Sequence, residues 1–220
     1  MGGVRHGVDL VIPVKMLRLA KTRLLGAADN GGGDRAAHEA LVLAFLRDTA
    51  AAAEDTPAVR KVVVVSSDPT IATILAGDGV EVLPDEPGQG LNEALRYGSD
   101  TLLRRDPSAT VGALQADLPA LKALELTMAI EEADGRRAFC ADHQGTGTTL
   151  LIAAPGRVLE PHFGVGSAGA HANSGALAVT APLASLRCDV DTAADLVEAN
   201  TLGLGKHTAA LVGASCPTGC

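Results

Sequence analysis

Aromatic side chains are nearly missing: the 220 residues include no Trp, one Tyr and three Phe. A surface of rings on which nucleic-acid bases could stack is therefore excluded, and the core has to be built from Ala, Val, Leu and Ile. Positive charge is also scarce. Eighteen Lys and Arg stand against 26 Asp and Glu, giving a net charge of −8 and a pI near 5.2. That balance argues against a phosphate backbone or an anionic membrane as partner. No apolar run approaches the ~18 residues of a membrane span, and no basic-then-apolar leader opens the sequence. The four cysteines, Cys140, Cys188, Cys216 and Cys220, include no close pair inside the domain, and the CPTGC end has the wrong spacing for zinc. They read as free thiols in a reducing, cytoplasmic compartment. Neither GxxxxGK(S/T) nor GxGxxG occurs, so neither a Walker A loop nor a Rossmann dinucleotide fingerprint is supported.

What is present is a regular alternation of apolar runs with helical patterns. VDLVIPV (8–14), KVVVVSS (61–67), VEVLP (80–84) and TVGALQA (110–116) read as buried strands. Between them, Asp34 caps a long helix to about residue 53, with Leu41, Leu43, Phe45 and Leu46 available to the core. Asp68-Pro69 opens a second helix, another begins near Leu91, and a fourth covers about 123–133. RAFCAD (137–142) and TTLLIAA (148–154) are two successive strands, a candidate hairpin around His143–Gly147. SAGAHANSGA (167–176) reads as a short helix, and Asp191-Thr192 opens the final one. This pattern predicts an α/β fold: a mostly parallel, mixed sheet covered by helices on both faces. The domain spans 8–205, with flexible tails at 1–7 and 206–220.

Four constellations carry chemistry. Lys15, Arg18, Lys21 and Arg23 follow the first strand directly, where α/β folds place phosphates; they are either a solvated loop or a site orienting phosphate oxygens. In PGQGLNEAL (87–95), Gly88 and Gly90 permit close backbone approach, and Asn92 either caps a turn or reads a base or ribose. GTGTT (145–149) and HFGVGSAGAH (162–171) place Thr148 before a strand and Ser167 before a helix, an arrangement open to anion binding or to simple capping. His171 could reach a phosphate there, or serve structure alone.

The fourth is acidic: Asp117 in LQADLPAL, and Asp189-Val190-Asp191 in RCDVDTAADL, each read as following a strand. Residues two apart on an extended segment share a face, so Asp189 and Asp191 can converge. Three carboxylates at the carboxyl ends of strands suit a hard divalent cation, and Mg²⁺ favours a phosphate-bearing substrate. Asp191 would serve equally well as a cap for the last helix.

In order and spacing, VIPVK…AKTRL, PGQGLNEAL, LQADLPAL, GTGTTLL, HFGVGSAGAH and RCDVDTAADL resemble the phosphoenolpyruvate and 2-phospho-L-lactate guanylyltransferases of coenzyme F(420) biosynthesis, over about residues 8–205. That family is molybdenum-cofactor-guanylyltransferase-like, so the resemblance implies a Rossmann-like nucleotidyltransferase fold. It also implies transfer from GTP to a three-carbon phospho-acid with Mg²⁺ and release of diphosphate. It places phosphoenolpyruvate at Thr148, Gly164 and Ser167, and the metal at Asp117, Asp189 and Asp191. Lys15, Lys21 and Arg23, with Asp117, would act at the GTP phosphates, and Gly90, Leu91 and Asn92 near the nucleoside. The stretch Ala27–Asp34 is looser and more Gly-rich than a tight phosphate loop. Two other functions use the same residues. A metal-dependent glycosyltransferase also employs Asp-x-Asp, and a non-catalytic nucleotide-binding protein would keep the carboxylates as caps. The choice of acid, guanine over adenine, and the oligomeric state, a homodimer included, are left open.

Overall fold

A computed structural model describes residues 7–15, 17, 24–25, 32–86 and 88–214. The strands are β1 (Val8–Pro13), β2 (Val59–Val65), β3 (Glu81–Leu83), β4 (Thr110–Leu114), β5 (Ala138–Ala141), β6 (Thr148–Ile152) and β7 (Leu177–Ala178). The helices are α1 (Arg35–Glu54), α2 (Pro69–Gly77), α3 (Leu91–Arg105), α4 (Ala123–Ala133), α5 (Ser167–Asn173), α6 (Ala184–Arg187), α7 (Ala193–Leu202) and α8 (Lys206–Ala214). One sheet runs β3-β2-β1-β4-β6-β5-β7. Pairing is parallel from β3 through β4, and β6 then enters antiparallel to both β4 and β5. The mostly parallel, mixed sheet read from the sequence is the one observed, with the hairpin at 143–147 joining β5 to β6.

Period-two side-chain alternation sorts the strands onto two cores. Leu10 and Ile12 of β1, with Val62 and Val64 of β2, meet Leu46 and Ala50 of α1 and Leu126 and Ala129 of α4 on one face. Val11, Val63, Val65, Val111 and Ala113 meet Ala94, Leu95 and Leu102 of α3 on the other. Full burial of each Val or Leu contributes about 1.5–3 kcal/mol, which is how a chain so poor in aromatics sustains its core. Gly98 lets α3 lie close: a Cβ there would meet Val11 Cγ1 at 2.6 Å. A third cluster, Leu24, Leu41, Phe45, Cys188, Val190 and Leu196, joins α1 to α7 and the segment before it.

Three sequence expectations are corrected. Residues 206–214 are not a tail: α8 docks on α1, the N–H groups of His207 and Thr208 in its first turn donating to the buried Asp48 carboxylate at 3.0 and 2.7 Å. The final helix is therefore α8, not the helix after Asp191. Asp189-Val190-Asp191 does not follow a strand, but an irregular stretch after the four-residue α6. Cys216 and Cys220 lie outside the described residues, whereas Cys140 and Cys188 are buried and free.

Candidate functional site

β6 runs antiparallel, so its first residue, Thr148, comes to the carboxyl end of β4. Leu114 pairs with Leu150, and the Gln115 N–H donates to the Thr149 carbonyl at 2.9 Å. Asp117, two residues further on, therefore comes close to the start of β6. Lys15 after β1 and Pro84 after β3 leave the parallel strands at the same end. This is where open α/β sheets bind ligands. A separate cavity of about 530 Å³, lined by Val8, Ala58, Thr110 and Ile152, opens at the opposite, amino-terminal end and carries no part of this constellation.

The turn bearing Asp117 is held from below by α1. Thr49 is fully buried; its Oγ1 donates to the Phe45 carbonyl at 2.8 Å and accepts the Leu118 N–H at 3.1 Å. The Val190 N–H donates to the Asp117 carbonyl at 3.0 Å, so the two acidic segments lie side by side. Cys188 and Val190 are buried while Asp189 is half-buried and Asp191 exposed. The alternation expected of a strand thus survives without one, and it turns both carboxylates outward. Capping does not occupy Asp191: the cap of α7 is Thr192, in a capping box with Asp195. Asp189 Oδ1 lies 3.8 Å from His143 Nδ1. Sequence reasoning passed over His143, Thr49 and Asp195; only the Thr192-to-Asp195 spacing carried a local signal.

Oxygen donors of this kind suit Mg²⁺, although among the described residues no three such side chains stand close enough to cage an ion. Mg²⁺ is commonly held by one or two carboxylates together with substrate phosphates and water. The aligned segments fit that mode rather than a preformed cage.

Thr148 and Ser167 meet as the sequence suggested. Ser167 Oγ donates to Thr148 Oγ1 at 3.1 Å, and both are buried. His171 Nδ1 adds a third contact to Thr148 Oγ1 at 2.9 Å. Burial, reinforced by Arg137 and His162, lowers the His171 pKa to about 4, so its ring is neutral and offers no cation to a phosphate. Gly164 lies three residues before Ser167 and its carbonyl accepts the Ser167 N–H at 3.1 Å. The Ala168 N–H goes to the Thr146 carbonyl at 3.0 Å. These two backbone donors are therefore spent within the protein, and the anion nest expected at them is not formed.

Asn92 is another correction. Its side-chain amide accepts the Phe163 N–H at 2.9 Å and donates to the Phe163 carbonyl at 3.0 Å. It fastens α3 to the 162–164 loop instead of facing an open groove. Leu91 begins α3, and Gly90 before it has φ +107°. Of the basic loop, Lys15 is exposed; Arg18, Lys21 and Arg23 lie outside the described residues. Leu17 anchors that loop in the core, its N–H bonded to Asp68 at 3.0 Å. Burial pushes the Cys188 thiol up to about 11, so no thiolate is available beside Asp189.

Solved structures share this architecture. It superposes on 4-diphosphocytidyl-2C-methyl-D-erythritol synthase with a TM-score of 0.57 at 16% identity, covering 90% of this chain and 99% of that one. A Desulfovibrio desulfuricans protein assigned as a nucleotide-diphospho-sugar transferase gives 0.69 at 15% identity, covering 94% and 97%. At such identities the likeness is one of fold. Sequence is more specific: the family described as "Guanylyl transferase CofC like" matches residues 8–212, and the chain belongs to it. A phosphoenolpyruvate guanylyltransferase of Geodermatophilus obscurus is 50% identical over 213 residues, covering 96% of this chain and 97% of the relative. One from Salinispora arenicola is 47% identical over 212 residues, covering 95% of each.

Proposed function

We propose that this protein is a guanylyltransferase that joins GTP to phosphoenolpyruvate, or to 2-phospho-L-lactate, with release of diphosphate, a step in coenzyme F(420) biosynthesis. Family membership and the naming of relatives at 50% and 47% identity support the reaction. The observation that carries it in this chain is that antiparallel β6 brings Thr148, hydrogen-bonded to Ser167, to the carboxyl end of β4, the end from which the segment bearing Asp117 leaves.

An oxygen of the acceptor's phosphate attacks the α-phosphorus of GTP. One P–O bond forms, the α–β anhydride bond breaks, and diphosphate leaves with the electron pair. The acceptor is anionic at neutral pH, so no strong base is needed; the problem is to align two polyanions. Thr148 and Ser167, with the Gly164 backbone, hold the acid. Lys15, together with Lys21 and Arg23, neutralises the triphosphate, and the Gly90–Asn92 segment flanks the nucleoside. One or two of the carboxylates of Asp117, Asp189 and Asp191 would hold Mg²⁺ together with the substrate phosphates, and the ion would supply charge neutralisation and orientation of the phosphate oxygens.

Buried free Cys140 and Cys188 suit a reducing compartment, and we place the enzyme in the cytoplasm. Among the described residues no helix is long and apolar enough to cross a membrane.

The test is diphosphate release from GTP with each acid, with and without a chelator, together with exchange of labelled diphosphate into GTP. Acid-dependent release and exchange are expected. Turnover of a nucleotide-sugar without exchange would make it a glycosyltransferase, and tight nucleotide binding without turnover would make it a binding protein.

A further inference from the structure

Two of the three Phe flank His171. Phe163 meets the His171 ring edge-on with centroids 5.1 Å apart, Phe139 lies at 6.0 Å and the His162 ring at 5.8 Å. Inside this shell His171 is fully buried, and both ring nitrogens are engaged. The backbone N–H of His162 points at Nε2, 2.9 Å away. A backbone N–H can only donate, so Nε2 must be the unprotonated nitrogen, and in a neutral ring the proton then sits on Nδ1.

That assignment propagates. Nδ1–H donates to Thr148 Oγ1, and Ser167 Oγ donates to the same oxygen. A hydroxyl oxygen has two lone pairs, and both are now filled. The remaining hydrogen-bonding capacity of Thr148 is its own proton, which cannot turn back to Nδ1–H. With Ser167 as donor the Thr148 hydroxyl can only donate; with the bond reversed the outward proton is that of Ser167, so either way the pair offers a proton, which selects for an anionic or carbonyl oxygen.

We propose that His171 is a positioning residue: locked by the His162 N–H, it denies Thr148 an acceptor at Nδ1 and so makes the Thr148–Ser167 hydroxyl pair an obligate hydrogen-bond donor to an anionic oxygen of the phospho-acid. This rests on the reading that the acid binds against Thr148. Were the ring in the other tautomer, Thr148 could spend its proton on Nδ1 and offer the substrate a lone pair instead, which repels an anion.

Imidazole ¹⁵N NMR of the free enzyme tests the tautomer without substrate. Nδ1 protonated and Nε2 bare is expected; the reverse overturns the proposal whatever the enzyme does. Kinetics then separate donor from scaffold. His171→Asn places an amide donor near the Nδ1 position, and His171→Gln keeps an acceptor near Nε2 but loses that donor. The KM for phosphoenolpyruvate should rise about tenfold in His171→Gln, the worth of one hydrogen bond, and return to within about twofold in His171→Asn. The KM for GTP should not move. Equal rises in both variants, or a rise in the KM for GTP, would reduce His171 to a structural part. In a Thr148→Val background His171→Gln should add nothing; full additivity would also overturn the proposal. If Thr148→Val leaves the KM for the acid unchanged, or no acid is turned over, the placement of the acid fails, and the proposal goes with it even when the tautomer is as stated.

Discussion

The Val190 N–H donates to the Asp117 carbonyl at 3.0 Å. This single backbone bond joins two acidic segments far apart in sequence, and the buried neighbours Cys188 and Val190 hold the second of them in register. Backbone and apolar side chains thus set the position of the second segment.

It follows that neutralising Asp189 and Asp191 should harm turnover without harming the fold. The double variant Asp189→Asn, Asp191→Asn is expected to lose about 100-fold or more in kcat, the scale of removing a principal electrostatic group. Its stability should stay within about 1 kcal/mol of the parent, as for substitutions outside the core. Diphosphate release and urea denaturation measure the two, and near-normal turnover would remove the metal assignment.

Thr49 should behave in the opposite way. It is buried in α1 and touches no substrate in this reading, yet its hydroxyl accepts the Leu118 N–H directly after Asp117. Thr49→Val orphans that buried donor, at about 1–3 kcal/mol, and frees the turn that aims Asp117. Denaturation midpoint and kcat should fall together, and Thr49→Ser, which keeps the hydroxyl, should restore both.

Gly90 isolates a conformational effect. Its φ of +107° with ψ of −179° lies in a region essentially reserved for glycine, while a Cβ added there would meet nothing within 4 Å. Gly90→Ala therefore costs about 1–3 kcal/mol of torsional strain with no steric clash. Because it sits at the start of α3, in the segment assigned to the nucleoside, the KM for GTP should rise and that for the acid should not. Kinetics with each substrate varied in turn decide it.

The sheet was legible because β1, β2 and β4 carry the apolar stretches 10–12, 62–65 and 111–114, and their connecting helices announce themselves through Asp34 and Asp68-Pro69. The alternation that buries Val190 between Asp189 and Asp191 was legible too, since period-two alternation needs extended backbone and not a paired strand. What escaped was fixed by distant partners. The brief α6 has its first N–H groups, those of Ser185 and Leu186, on the Glu125 carboxylate. Two-residue β7 exists by pairing with β5. Asn92 looked like a ligand reader because nothing local reveals that Phe163 takes both ends of its amide.

α8 is the largest of these omissions, and it makes a prediction. Its weak pattern reads as a tail, but Asp48, buried in α1, accepts the N–H groups of His207 and Thr208 in its first turn across about 160 residues of chain. Asp48→Ala removes the acceptor for both and should cost about 1–3 kcal/mol. The loss should be local first: amide exchange over 206–214 should quicken before that of the sheet. Uniform quickening would mean that α8 and the core unfold as one unit.

His171 sets the pH dependence of stability. Its pKa falls from the usual 6.5 to about 4 in the fold, chiefly through burial. Between those values the unfolded chain binds a proton that the folded ring refuses, so protons favour unfolding and stability rises with pH. The contribution is complete above about 6.5, declines as pH drops through that window, and levels off below about 4. Carboxylates titrate at the lower end, so the clean interval is about pH 5 to 6.5. Denaturation midpoints measured across it should slope upward with pH, and more steeply in the parent than in His171→Asn, which has no proton to take up there. Identical slopes would mean that the ring is protonated in the fold. An Nε2–H would then face the His162 N–H, which contradicts the neutral ring from which the tautomer is assigned.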